Sequence, residues 1–496
     1  MKSAVKQAVI LAAGMGTRIR ATGEQGPKPL VKVGGLTLLK RAILTAAKVG
    51  VEKFIIVVGY EAELVKSAIT QDSELSKFEF HWAMNDQYEL KNGVSVLKAK
   101  TFVDGEFFLA MSDHIVDWQI YQKLSQPDMK GDLNLAVDTR LTEIFDMDDA
   151  TKVKVGPNQE ILAIAKDLKE YDVIDTGVFR CKPALFDVLN LCYEKNGNVS
   201  LSEAITEMSK DQKAYVVDIE KSWWQDVDDV PSKIEAEKML FKTLTKAIDG
   251  PVSRHINRKF SKMLTKLVMN TNIIPNHMTA LGLFIGILSA VVLAFASPEH
   301  WYYLPIAGIL YQISSMIDGC DGEIARLKFK HSAIGEWFDT ISDDVINLGY
   351  QLAMGIALYR FTNQIQWLYL SVFCFVAGWI VSLNLYYQLI QSKKGTHLAI
   401  NWSFEQNQES WFQRVCAKFA FVARRDFYAL LLAIFSFFGV PALKLSMLLS
   451  AITISFLFAQ WFKTFKATKS LNKADQNKAA SVDRPTTGTH KLVRQH

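Results

Sequence analysis

The sequence predicts an α/β domain followed by an all-α polytopic membrane domain of about six transmembrane helices. Three observations lead there. Residues 1 to about 230 alternate short β-branched runs with helical patterns, whereas much of 279–465 is apolar and rich in Phe, Leu and Ile. The averages, 49% hydrophobic and 22% charged over 496 residues, suit neither a plain soluble enzyme nor an all-membrane transporter. A charged soluble domain joined to a membrane domain explains them.

The first domain is expected over 1–232. Lys2 and Lys6 precede Ala8–Ala13, an apolar stretch too short for a signal-peptide core that runs straight into Gly14 and Gly16. It reads as a strand. Further strands are expected at Phe54–Val58, Phe78–Trp82, Phe107–Met111, Leu133–Val137 and Val173–Phe179, and their alternation with helical stretches predicts a mostly parallel sheet. The five cysteines show neither metal-type pairing nor a disulfide framework, so a reducing compartment is the default and this domain is expected in the cytoplasm. No nucleic-acid partner is expected.

Strand Ala8–Leu11 feeds into Ala12-Ala13-Gly14-Met15-Gly16-Thr17-Arg18. Glycines there let backbone N–H groups approach phosphate oxygens, and Arg18 adds a forked positive charge. Ten residues on, Pro27-Lys28-Pro29-Leu30 holds a lysine between two prolines. This combination resembles the signature of the nucleotidyltransferases that join an NTP to a sugar or alcohol phosphate. The resemblance extends through Asn92-Gly93-Val94-Ser95, Met111-Ser112-Asp113-His114, Asp175-Thr176-Gly177 and Trp224-Gln225-Asp226-Val227-Asp228. It implies a Rossmann-like α/β fold, a nucleotide held at Leu11, Ala12, Ala13, Gly14, Gly16 and Thr17, and phosphate charge met by Arg18 and Lys28. Asp113, Asp226 and Asp228 are implied as ligands of Mg²⁺ or Mn²⁺. Ser112 departs from the glycine common before this aspartate. His114 reads as a structural neighbour, and Lys152 and Lys166 as either acceptor-phosphate ligands or solvated lysines.

A linker and an interfacial helix are expected over 233–270. Ile256, Phe260, Met263, Leu264, Leu267 and Val268 form an apolar stripe, with Arg258, Lys259, Lys262 and Lys266 off it. The membrane domain is expected over 271–466, with hydrophobic segments near 279–297, 301–318, 335–359, 367–390, 427–440 and 442–463; the fifth is short of the ~20 residues a span needs. Lys and Arg alternate between loops, being concentrated at Arg326–Lys330 and at Lys393–Arg425. That places both termini in the cytoplasm of a multi-pass cell-membrane protein. Residues 467–496 read as a disordered tail.

The stretch 318–343 reads DGCDGEIARLKFKHSAIGEWFDTISD. On helices, Asp318 and Asp321 share a face, as do Asp339 and Asp343. Four carboxylates at mid-membrane would cost on the order of 10 kcal/mol, which excludes lipid-facing positions. Divalent metals in a polar cavity remove the problem, and oxygen-only ligands suit Mg²⁺ or Mn²⁺. Small Gly322, Ala325 and Gly335 permit close approach, and Arg326 can meet a phosphate.

With Pro275-Asn276-His277-Met278-Thr279 upstream, the pattern resembles the CDP-alcohol phosphotransferase signature without departure. The resemblance implies metals on Asp318, Asp321 and Asp339. Asp343 is implied as the base for the acceptor hydroxyl and as a further metal contact, with the CDP group held by Gly322, Arg326, Asn276 and Thr279. Asp344, about 100° round the helix, is a weaker candidate.

One half makes what the other consumes, which favours CTP; the soluble motifs alone do not separate CTP from UTP. Across both halves the chain resembles the bifunctional inositol-1-phosphate cytidylyltransferase/di-inositol-phosphate phosphate synthases. That implies CTP and inositol 1-phosphate as substrates, CDP-inositol as intermediate, and an acceptor that is an inositol phosphate or a lipid alcohol. A homodimer is compatible with it. Two other readings stay open: a phosphocholine-type head-group enzyme, and a transporter with a regulatory nucleotide domain.

Overall fold

The computed structural model describes residues 5–23, 25–245, 249–392 and 425–459. The chain divides into two compact units, one of residues 1–244 with 269–271 and 327–329, the other of the remaining residues.

Thirteen strands organise the first unit: β1 (Gln7–Ala12), β2 (Lys32–Val33), β3 (Leu36–Thr37), β4 (Lys53–Val58), β5 (Glu79–Met84), β6 (Phe107–Met111), β7 (His114–Val116), β8 (Leu133–Asp138), β9 (Lys152–Val155), β10 (Ile161–Ala165), β11 (Val173–Cys181), β12 (Ala214–Asp218) and β13 (Trp224–Asp226). The principal sheet has nine strands; its main path runs β10-β9-β11-β6-β1-β4-β5, and β8 joins β11 to β12. Strand β1 is buried along its whole length because parallel neighbours β4 and β6 flank it. A near-continuous apolar run such as QAVILA is what that position selects.

The expected strands form, but the sheet is mixed rather than mostly parallel. Pairings β1–β4, β1–β6, β4–β5 and β8–β12 are parallel; β9–β10, β11–β6, β11–β8 and β11–β9 are antiparallel. Between β9, β10 and β11 the connections are too short for a crossover helix, so the chain can only turn back on itself.

Helices Pro275–Ala294, Tyr303–Lys328, Ala333–Thr362, Gln366–Ser392, Arg425–Ser436 and Gly439–Ala459 make up most of the described second unit. Three of them are long and apolar enough to cross a membrane: Pro275–Ala294, Gln366–Tyr387 within the fourth, and Gly439–Ala459. Among the described residues, length and composition therefore support three of the six expected spans. Tyr303–Lys328 and Ala333–Thr362 have the length, about 39 and 45 Å at 1.5 Å per residue, but carry the acidic signature. Arg425–Ser436 has only 12 residues. Phe284, Tyr369, Leu383 and Ile452 are each at least 60% exposed, which is what a lipid-facing surface requires.

The segment before the first span is helical over Arg258–Val268, with Phe260, Met263 and Leu267 exposed as the apolar stripe predicts. Arg258 departs from the expected basic face. It is buried and paired with Asp249 and Glu323, since a guanidinium removed from water must take carboxylate partners. Most of the basic connection before Arg425 and the tail after Lys466 lie outside the described residues.

Candidate active sites

In the first unit, β1 ends at Ala12 and β6 at Met111, side by side. The loops leaving these carboxyl ends line a cleft of about 560 Å³, at the edge where α/β sheets receive ligands. The two glycines of the loop after β1 differ in what they meet. Gly16 has φ +60°, and a Cβ there would lie 2.5 Å from Lys28 Cβ. A Cβ on Gly14, by contrast, would meet nothing within 4 Å and would project into the cleft that this residue lines.

Two outcomes follow from the nucleotide role that the resemblance implies for this loop, read as pyrophosphate release from an NTP. Gly16→Val is expected to cut the rate by at least about tenfold, since left-handed backbone strain of roughly 1–2 kcal/mol adds to displacement of Lys28. Gly14→Ala is expected to raise KM for the nucleotide with thermal stability unchanged. Equal behaviour of the two variants would count against this account of the loop.

Lysine and aspartates meet because of the small β7–β13 sheet. Its register sets Asp226 opposite His114, and the Val227 amide donates to Asp113 O at 3.0 Å. Lys28 Nζ donates to Asp113 at 2.7 Å and also to Asp228. Arg18 donates to Asp228 at 2.6 Å and to Asp149 at 2.8 Å. His114 bonds Asp113 at 2.8 Å and stacks on Trp224.

Burial alone would lower the Lys28 ammonium, but Asp113 and Asp228 outweigh it and hold the pKa above the ordinary lysine value. Burial would likewise raise Asp113, yet Lys28 and His114 keep it far below the usual carboxylate range. Asp226 is different. Burial and then its aspartate neighbours push it up against the pull of His114.

The three carboxylates with an oxygen each inside 4.8 Å of one another are Asp149, Asp226 and Asp228. Asp113 lies beside them, engaged on both oxygens by Lys28 and His114. An all-oxygen set whose Asp226 is held up by burial and then by its aspartate neighbours fits a divalent cation. Asp149 was not anticipated from sequence; it sits in a loop without motif. Lys166 reaches the cleft and donates to Asp149 at 2.6 Å. Lys152 instead donates to the carbonyls of Ala150 and Lys166.

In the second unit the signature aspartates converge. Helix Tyr303–Lys328 carries Asp318 and Asp321, and Ala333–Thr362 carries Asp339 and Asp343. Oxygens of Asp318, Asp339 and Asp343 lie within 4.8 Å of one another. Asp321 accepts from Thr279 Oγ1 at 2.9 Å, which ties the first span to the cluster. Gly335 faces Asn276: a Cβ there would come within 3.0 Å of Asn276 Oδ1. Arg326 lies along Gly322, one turn earlier on its helix, and Ala325 is buried.

Arg425, absent from the expected set, donates to Asp318 at 2.9 Å and to Asp343 from the start of the short helix Arg425–Ser436. Among the described residues, Arg425 thus bonds two of the four carboxylates, and Asp339 Oδ1 is buried without a hydrogen-bond partner. That orphan oxygen in an oxygen-only set fits a divalent cation. Asp344 points elsewhere, accepting from Tyr386 at 2.5 Å.

Comparison with known proteins agrees with both halves. Residues 272–461 match the family model described as CDP-alcohol phosphatidyltransferase, and residues 8–131 that of the MobA-like NTP transferase domain. The bifunctional IPC transferase and DIPP synthase of Aquifex aeolicus is 34% identical over 370 residues, 74% of this chain and 81% of that one. Its counterpart in Thermococcus kodakarensis is 35% identical over 383 residues, 76% and 82% of the two chains. Among solved structures, the inositol-1-phosphate CTP transferase from T. maritima is 24% identical, with a TM-score of 0.44 over 48% of this chain and 97% of that one.

Proposed function

This chain belongs to the family of bifunctional IPC transferases and DIPP synthases, and from that premise we propose that it couples two transfers at a membrane. In the first, a phosphate oxygen of inositol 1-phosphate attacks the α-phosphorus of CTP. The bond to the β-phosphate breaks, and CDP-inositol and pyrophosphate form. In the second, the hydroxyl of an acceptor alcohol attacks the inositol-bearing phosphorus of CDP-inositol and CMP leaves.

Each residue's part follows from its chemistry. Backbone amides of residues 12–17 receive the nucleotide, with Gly14 leaving room for it. Lys28 and Arg18 offset the repulsion between two anionic phosphates, a role suited to fixed cations in a cleft. In the helical unit Gly322 and Gly335 allow close approach of the CDP group, beside Asn276, Thr279 and Arg326. Asp343 takes the proton of the attacking hydroxyl. Mg²⁺ is the ion we assign, held by Asp226 and Asp228 with Asp149 or Asp113 in one unit, and by Asp318, Asp321, Asp339 and Asp343 in the other. Bound there, it would neutralise charge developing on phosphoryl oxygens.

The observation that carries the reading is the convergence of Asp318, Asp339 and Asp343 from two helices, with Asp321 tied to the first span beside them, in a chain that also holds a nucleotide-type cleft. The test uses the full chain in lipid nanodiscs with Mg²⁺, CTP and tritiated inositol 1-phosphate. Labelled CDP-inositol is expected first, then CMP in step with a second labelled product. Nucleotide product formed only with choline phosphate or a sugar phosphate would reject the substrate assignment. A transferase family leaves the transporter reading without support. Whether the acceptor is an inositol phosphate or a lipid alcohol is read from the partitioning of the second product between water and organic solvent.

Three apolar helices and the CDP-alcohol phosphatidyltransferase match make this a membrane-associated protein. Its proposed topology is multi-pass with both termini cytoplasmic, supported by the clustering of Lys and Arg in alternate loops. Single cysteines at Glu299 and at Lys330, in a cysteine-free background, test it with an impermeant maleimide on intact cells. Labelling is expected at 299 and not at 330; the reverse pattern overturns the orientation.

A further inference from the structure

Glu323 is fully buried, five residues after Asp318 and two after Asp321. At 100° per residue it lies about 140° from the first and 160° from the second, on the back of the helix whose front carries the aspartates. A carboxylate there cannot reach a substrate lying between Asp318 and Asp343. It nevertheless has three side-chain donors, all from the helix that precedes the first span. Arg258 Nη1 donates at 2.9 Å, Ser261 Oγ at 2.6 Å and Thr265 Oγ1 at 2.7 Å.

The same back face is stitched along its length. Gln312 donates to Asn257 at 2.9 Å, Asn257 to Ser315 at 3.3 Å, and Arg258 to the Gly319 carbonyl at 3.1 Å. Residues 312, 315, 319 and 323 follow 3–4 spacing, so one polar seam runs down a single stripe. Apolar contacts flank it, with Leu264 and Val268 packed against the Cys320–Ile324 cluster. Those contacts alone would tolerate a rotation of the helix, because dispersion has little directionality, whereas a buried carboxylate with three donors does not. Stability gives no reason to keep such a seam, since well-packed apolar residues are often as stabilising as a buried ion pair.

We propose that Glu323, clamped by Arg258, Ser261 and Thr265, is a positioning residue for the transfer site, setting the rotation of helix Tyr303–Lys328 that turns Asp318 and Asp321 toward Asp339 and Asp343. This rests on the reading of the aspartate cluster as the metal-holding transfer site.

The experiment measures Mn²⁺ binding by electron paramagnetic resonance on the full chain in nanodiscs. An Asp226→Asn/Asp228→Asn background silences the soluble acidic cluster, and Tm is followed in parallel. Thr265→Val is expected to weaken Mn²⁺ binding about threefold, and Glu323→Gln about tenfold or more. Because Arg258 also pairs with Asp249, the charge-free combination is Asp249→Asn/Arg258→Met/Glu323→Leu, which is expected to recover Tm without recovering Mn²⁺ affinity. Affinity that returns together with Tm in that combination overturns the proposal. So does unchanged affinity in Ser261→Ala/Thr265→Val, which decides the matter if the Glu323 variants fail to fold. A background protein that binds no Mn²⁺ at all overturns this proposal and the transfer-site reading with it.

Discussion

Asp343→Asn is expected to lower CMP release from CDP-inositol by a factor on the order of 10²–10⁴, the usual worth of a positioned general base. Formation of CDP-inositol from CTP should stay within about twofold, because sites that share no partners act independently. Asparagine matches aspartate in volume, and its amide oxygen can still accept from Arg425, which bonds both Asp343 and Asp318. The substitution therefore removes the proton acceptor, and one anionic ligand of the assigned ion, while keeping the bond to Arg425. Separate assays of pyrophosphate and CMP release on one preparation check it. Parallel loss of both activities would mean that the residue supports the fold rather than the transfer, and retained CMP release would remove it from the base role.

The second large effect belongs to the other unit. Lys28→Ala is expected to reduce cytidylyl transfer by about 10²–10³, the magnitude seen when one preorganised donor to developing phosphoryl charge is lost. Its ammonium is the shared partner of Asp113 and Asp228, with a side chain only 12% exposed. Removal leaves those carboxylates facing each other without their common cation. Lys28→Arg should not restore the rate, since a planar fork on a longer stem does not replace a point charge at that spot. CDP-inositol supplied from outside should bypass the defect, and full CMP release from it would show that the chain is folded. Cytidylyl transfer within about fivefold of wild type would end the assignment.

These two residues were legible because each belongs to a motif of fixed local spacing. The glycine loop, the lysine between prolines and the aspartates at three- and four-residue intervals are short-range patterns. Strand β1 was legible for a related reason, since an unbroken apolar run followed by glycines marks a central strand entering a loop. The reversal at β11 was not. Apolar alternation shows that a strand is there, while its direction depends on connections whose lengths the pattern does not mark.

Arg258 and Arg425 illustrate the same limit in the helical unit. Periodicity placed Arg258 off the apolar stripe, and a loop-charge rule made Arg425 one of several basic residues near the cytoplasm. Their partners lie 65 and 82 residues away, at Glu323 and Asp343. Asp149 likewise carries no local signal, and it enters the first site through Arg18, 131 residues before it.

By itself, then, the sequence determined the two chemistries, their order along the chain, and the acidic and glycine positions proposed to serve them. Periodicity, backbone freedom and ligand spacing are properties of neighbouring residues. The tertiary structure alone decided which cations face those acids, that Asp149 rather than Asp113 completes the carboxylate trio of the first unit, and that half of the principal sheet's pairings are antiparallel. Such choices are made when packed helices and strands bring distant side chains within hydrogen-bonding reach, where a buried charge must find a partner.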